Sequence, residues 1–260
     1  MKLEHTIEDP NEERPAYGNW VPTKLIYATG LIGLLSGGVS LLWPGALVVA
    51  AFFLSWAAYF TYARYRFSPR GADLQNRIRD LLLQHFDWDG VGQALDIGCG
   101  NGPLTIRLAQ EHLRASITGV DYWGGAWQYS MQVCTKNARL EGVADRVTFC
   151  RASAASLPFE DGFFDAAVSN LVFHEVRNSK DKRDLLKEAL RVVKKGGTFA
   201  FQDLFLLKAV YGDIDDLLET MRSWGVEHVE FVNTSRSDFI PAALKLPFMV
   251  GTIGILHGTK

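Results

Sequence analysis

Cysteine is scarce in this sequence. Cys99, Cys134 and Cys150 lie far apart and none belongs to a CxxC pair, which excludes a disulfide framework or a zinc site of paired thiolates and suits a reducing compartment. Neither sign of charge dominates: 27 Lys and Arg stand against 29 Asp and Glu, for a net charge of −2. With no general basic field, a nucleic-acid partner is not favoured. Internal repeats and low-complexity stretches are missing too. The most consequential absence is local: from Leu25 to Ala63 there is no Asp, Glu, Lys, Arg or His. The full length of 260 residues suits one ordinary domain plus an appendage.

A spanning helix needs roughly 20 apolar residues, so the uncharged run is long enough for two. Trp43, Pro44 and Gly45 divide it, because proline lacks a backbone donor and glycine resists helical order. The pattern predicts a polar, solvated tail over 1–23 and a transmembrane helical hairpin over 24–66, with helices at 24–43 and 44–64. Trp20, Tyr27, Tyr59, Tyr62 and Tyr65 sit where interfacial aromatics belong, and Lys24, Arg64, Arg66 and Arg70 flank the run while its turn is uncharged. Positive-inside bias then places both ends in the cytosol. Gly33 and Gly37 form a small-xxx-small pair that lets helices approach, within the hairpin or between copies in an oligomer. A cleaved signal peptide does not fit so long a run behind an acid-rich leader. A hairpin that dips into the membrane without crossing, or one buried in a soluble fold, stays open.

From residue 67 onward, strand-like and helix-like segments alternate. "QALDI", "SITGVD", "RVTFCRA", "FDAAVSN", "GTFAFQDL", "VEHVEFVN" and "GTIGILHG" read as strands. Between them, "PLTIRLAQEHL", "WQYSMQVCTKNARLEG", "KDKRDLLKEALRVVKK" and "DIDDLLETMRSWG" read as helices, and "ADLQNRIRDLLLQHF" as a helix ahead of the first strand. Such alternation predicts an α/β domain over 67–260, a mostly parallel sheet with helices on both faces. In these sheets ligands bind beyond the carboxyl ends of the strands. Asp96 ends the first strand, and Gly98, Gly100 and Gly102 follow at G-x-G-x-G spacing. The dinucleotide fingerprint is G-x-G-x-x-G, and here a carboxylate stands two residues before the first glycine, suited to an ammonium. Asp121 ends the second strand, where a carboxylate accepts ribose hydroxyl protons. The ligand implied is a nucleoside carrying a charged amino acid.

"LDIGCGNGP", "GVDYW", "RASAASLPFEDGFFDAAVSNLVFHEV" and "LLKEALRVVKKGGTFAFQDL" resemble the successive motifs of class I S-adenosylmethionine-dependent methyltransferases. They are most similar to the small-molecule group that includes quinone-biosynthesis C-methyltransferases. The resemblance covers roughly 72–260 and implies a Rossmann-like seven-stranded sheet with its last strand antiparallel. It also implies S-adenosylmethionine as cofactor. Asp96, Gly98, Cys99 and Gly100 would hold its methionine part, with Cys99 filling space in the loop, and Asp121 its ribose. Tyr122, Ser153 and Ala154 would surround the adenine, Ser153 standing where the family carries an acid. Asn170 would face cofactor and acceptor, whereas Asp165 and His257 read as structural.

His174, just past the fourth strand, is the best-placed general base, since its pKa range suits proton transfer near neutral pH; the competing reading is a loop-fixing histidine. Trp123, Glu175 and Asp203 are candidates for the acceptor pocket, with Trp127 as a further aromatic wall. No Asn-Pro-Pro-Tyr-type loop follows the fourth strand, which weighs against DNA or glutamine amino groups as acceptors. The expectation is an integral membrane methyltransferase with its catalytic domain in the cytoplasm, acting on a lipophilic small molecule among membrane lipids, and with no metal. A non-catalytic cofactor-binding scaffold or sensor is the alternative.

Overall fold

The computed structural model describes residues 13–124 and 129–260; Trp127 lies outside them. α1 (Thr23–Val39) and α2 (Ala46–Phe67) pack against each other as a helical hairpin. α1 stops short of the expected Trp43: Gly37 and Gly38 weaken its last turn, and the Trp43 amide donates back to the Val39 carbonyl at 2.9 Å. α2 starts after Pro44 and Gly45 and runs past the expected Arg64 to Phe67. Among the described residues only α2, with 22 residues, is long and apolar enough to cross a membrane; α1 has 17. The two spanning helices of the sequence reading are thus corrected to one of spanning length. The close approach also differs from expectation. A Cβ on Gly33 would stand 2.8 Å from Leu54, whereas one on Gly37 would meet nothing within 4 Å.

The body follows the predicted alternation. After α3 (Leu74–Gln84) come β1 (Val91–Ile97), α4 (Pro103–Glu111), β2 (Arg114–Asp121), α5 (Met131–Leu140), β3 (Val147–Arg151) and β4 (Phe164–Asn170). Then follow α6 (Arg183–Arg191), β5 (Val193–Asp203), the short α7 (Lys208–Tyr211), α8 (Ile214–Ser223), β6 (His228–Val232) and β7 (Gly254–Thr259). α5 begins later than its sequence suggests because Ser130 caps it, its hydroxyl accepting the Val133 amide. α6 buries Leu185, Leu186, Ala189 and Leu190 on one face, the spacing of a helix laid on a sheet. The sheet is seven-stranded in the order β3-β2-β1-β4-β5-β7-β6, with β7 antiparallel to both neighbours. Strand order reverses between β1 and β4, so Ile97 and Asn170 end side by side at the switch point.

Two segments tie the hairpin to this body. The first is 13–22, expected as a solvated tail but laid across the α/β domain. The Ala16 amide donates to Asn137 Oδ1 (2.9 Å), and the Ala16 carbonyl accepts from Asn101 Nδ2 (3.1 Å). The Trp20 amide donates to Gln75 Oε1 at 3.0 Å. The second is the end of α2. Ala63 and Phe67 are buried in one apolar core with Leu74 and Ile78 of α3, Leu204, Leu244 and Ile253. That core is continuous across residue 66, where the sequence divides appendage from domain. By contrast the hairpin tip projects bare: Leu41 and Leu42 are 87% and 92% exposed.

Phe67→Ala should therefore destabilise the α/β body by about 3–5 kcal/mol, the usual cost of deleting a buried ring. Denaturant unfolding in detergent, followed by near-ultraviolet circular dichroism, measures this; Leu42→Ala at the tip should leave the midpoint unchanged.

Candidate active site

The carboxyl ends of β1, β2 and β4, the loop after β4, segment 13–22 and the end of α2 enclose one cavity of ≈ 670 Å³. Two of its walls are loops whose backbone is unusual. In the β1–α4 loop Gly98 has φ +75°, and a Cβ there would lie 2.2 Å from Val172, so glycine is needed for contact with the loop after β4. That loop opens with Leu171 at φ 59°, a left-handed conformation costly for a branched apolar residue.

Asp203 holds the second loop. Its carboxylate, fully buried at the end of β5, accepts amide protons from Val172 (3.0 Å), Phe173 (2.8 Å) and Leu204 (2.6 Å). It also meets His174 Nδ1 at 2.7 Å. Because a carboxylate only accepts, the proton sits on Nδ1 and the neutral ring presents Nε2 as its base. Nε2 stands 3.9 Å from Glu175 Oε1. Burial disfavours the charged ring, but attraction to Asp203 and their hydrogen bond outweigh it, so the His174 pKa lies above the ordinary histidine value. His174 and Glu175 line the cavity. Asp203, expected there as an acceptor contact, does not; it sits behind His174 and orients it.

At the cofactor end, Asp96 is 1% exposed and accepts the Thr105 hydroxyl proton at 2.6 Å. Burial raises its pKa to about 6, against the lowering effect of that bond. Asp121 bridges the two neighbouring loops, accepting the Gly100 amide on Oδ2 (2.9 Å) and the Trp123 amide on Oδ1 (2.7 Å). Each oxygen keeps a lone pair for a ribose hydroxyl. The Trp123 indole donates to the Gly100 carbonyl at 2.8 Å, which places it over the cofactor loop. Cys99, buried within that loop, lines the cavity, and Cys134 donates to the Gly100 carbonyl at 3.1 Å. Arg151 covers one face of the exposed Tyr122 ring, 5.2 Å from its centroid. Ser153 Oγ accepts from the Ala155 amide and from Asn178 Nδ2, both at 3.2 Å. With both lone pairs so engaged, the hydroxyl keeps its own proton to donate. Ala154 lies beside it in the wall, and Asn170 Oδ1 is buried there with no hydrogen-bond partner among the described residues.

The sequence reading missed three contributors. Arg79 of α3, 5% exposed, lines the cavity; its guanidinium is 5.3 Å from the Trp20 ring and donates to Asn76 at 2.8 Å. Burial lowers its pKa to about 10, so it stays charged. Gln75 and Arg79 lie one turn apart beside the apolar stripe of α3, and that is the signal that marks them. Asn101, inside the glycine loop, clamps Ala16 and accepts the Ser130 amide at 3.1 Å. Tyr129 lines the cavity between Gly18 and Gly100.

Residues 95–201 match the family described as "Methyltransferase domain". Over these residues the chain is similar to class I S-adenosylmethionine-dependent methyltransferases. Methyltransferase GfsG of Streptomyces halstedii is 28% identical over 171 residues, 61% of this chain and 56% of that protein. The ubiquinone/menaquinone biosynthesis C-methyltransferase UbiE of Geobacter sp. (strain M21) is 31% identical over 125 residues, 48% of this chain and 50% of that protein. The chain spans about half the length of these curated relatives. Among solved structures, geranyl diphosphate methyltransferase in complex with GPP and sinefungin superposes with a TM-score of 0.54 at 18% identity, over 74% of this chain and 79% of that one. At that identity the likeness shows the methyltransferase fold alone.

The raised His174 pKa has a signed consequence. Below the ordinary histidine pKa the protonated His174–Asp203 pair favours the folded α/β domain, and this contribution is lost as pH rises through the folded value. In histidine NMR titrations His174 should titrate above the free imidazole, and Asp203→Asn should bring it down. An unchanged midpoint in that variant would remove the orienting role of Asp203.

Proposed function

We propose that this protein transfers a methyl group from S-adenosylmethionine to a lipophilic, membrane-dissolved small molecule, with its hairpin in the bilayer and its catalytic domain on the cytosolic side. The observation that carries this reading is one cavity whose polar end suits the cofactor and whose other end is built from the root of an exposed apolar hairpin. Exposed apolar surface of that extent marks a membrane or partner contact.

The residues present fit the cofactor. Asp96 suits its ammonium, Arg79 its carboxylate and Asp121 its ribose; the unpartnered Asn170 Oδ1 awaits a donor. Ser153 donates toward an adenine ring nitrogen, and the open face of Tyr122 packs on the base. When bound, the cofactor supplies an electrophilic methyl group. The remaining work falls to alignment and to proton removal. His174 Nε2 takes the proton of an acidic acceptor atom, and Asp203 stabilises the imidazolium so formed.

Calorimetry should find S-adenosylmethionine binding that weakens as pH falls below about 6, because Asp96 then gains a proton and loses its attraction for the ammonium. Asp96→Asn should bind more weakly and with a flatter pH dependence. Arg79→Gln should lose affinity for the intact cofactor while leaving that for its decarboxylated analogue unchanged.

The full reading is tested by incubating the chain with isotopically methyl-labelled cofactor and a membrane lipid extract, then searching the organic phase by mass spectrometry. A labelled lipid-phase product is expected, reduced by about 100-fold in His174→Ala, the usual weight of a general base. Label confined to water-soluble products would overturn the membrane-substrate reading. Unchanged turnover in the variant at every pH would leave His174 as a loop-fixing residue.

A further inference from the structure

The cavity has an apolar end. Val21, Phe67, Leu171, Leu204, Met249 and Val250 wall it, and all of them belong to the core that joins hairpin and domain. At its rim stands Phe248. This ring lines the cavity, is 56% exposed, and packs on α2 with centroids 5.7 Å from Trp56 and 6.4 Å from Tyr59. The Tyr59 hydroxyl donates to the Ala243 carbonyl at 3.0 Å, pinning the 242–250 segment to the helix. The apolar lining of the cavity therefore continues, through Phe248, onto the apolar surface of α2.

We infer that this end is an acceptor chamber with a lateral portal at Phe248, through which a single-chain amphiphile enters from the bilayer along α2. Its apolar chain lies between Phe67 and the 248–250 segment, and its protic head reaches His174. This deepens the proposed function and rests on it for the chemistry at the head. Three observations commit the occupant. The wall of this end is apolar, which suits a hydrocarbon chain and penalises a charged one. His174, which lines the same cavity and is backed by Asp203, calls for a head with a dissociable proton. And the rim is shared with the helix of membrane-spanning length, so a chain leaving the chamber remains on apolar surface. A water-soluble acceptor needs neither the apolar wall nor the shared rim.

The test uses the full chain in phosphatidylcholine vesicles, a decyl-chain hydroquinone bearing a diazirine on the chain as photoprobe, and peptide mapping by mass spectrometry. Crosslinks are expected at Leu171, Leu204 and 248–250. They should be suppressed by excess unlabelled decylhydroquinone but not by methylhydroquinone, which lacks the chain. Phe248→Glu, at an exposed position, should cut chamber labelling by about tenfold, because the chain must then pass a charge. Labelling confined to the outer surfaces of α1 and α2, or equal competition by both hydroquinones, would overturn the portal. The wild-type map decides the matter even if the variant fails to fold. Calorimetry with S-adenosylmethionine on the same vesicles separates the two failures. Cofactor binding without chamber labelling sinks the portal alone, and chamber labelling without cofactor binding sinks the methyl-transfer reading alone.

Discussion

One buried carboxylate organises the catalytic end of this molecule. The loop after β4 has only a single 3₁₀ turn, Phe173–Glu175, and no strand to hold it. Asp203 supplies what the sheet does not, accepting amides of Val172 and Phe173 while fixing the His174 ring. A carboxylate with no exposure survives only when so many donors surround it. The consequences propagate. Val172, once fixed, presses on Gly98 so closely that no side chain fits there, and Gly98 begins the loop that carries Asp121's partner amide at Gly100. Cofactor loop, His174 and sheet are thus one unit held by packing and hydrogen bonds, and a fixed arrangement is the condition for alignment to lower a barrier.

The hairpin is coupled to that unit by packing and by polar contacts. Phe67 and Ala63 share a core with α3 and the segment before β7. Ala16, in the segment leading into α1, has its amide and carbonyl held by Asn137 and Asn101. Through Asn101 the lead-in to the hairpin touches the cofactor loop itself. A change in how the hairpin is seated therefore reaches the active site through two short routes, one apolar and one hydrogen-bonded. Such a joint makes the appendage part of the cavity wall, where a flexible tether would only raise local concentration.

Much of the fold is legible in the residues themselves. Strand and helix periods are local properties, and each strand of the sheet was readable from its own alternation or apolar run. β4 matches its sequence segment residue for residue; β5 begins earlier than its apolar run because Lys194 and Lys195 extend the strand on exposed backbone. The end of α1 was misjudged because Trp43 and Pro44 look like the break, whereas the glycines before them end the helix first. Among the site residues, Asp96, the glycines and Asp121 are visible because their spacing is itself the signal, and His174 because it follows a strand end.

The α/β class, the order of its elements, the uncharged run and the short-range cofactor motif follow from residue order alone, because each depends on residues within a turn or a strand of one another. Three-dimensional folding, by contrast, is what lays segment 13–22 over Asn101 and Asn137, brings Arg79 to the cavity, and stands Asp203 behind His174 and outside the cavity lining. The contact of Ser153 Oγ with Asn178 is likewise tertiary. These contacts join residues up to 121 positions apart. Their partners are chosen by where the sheet and its cores bring the chain back, and no local pattern encodes that return.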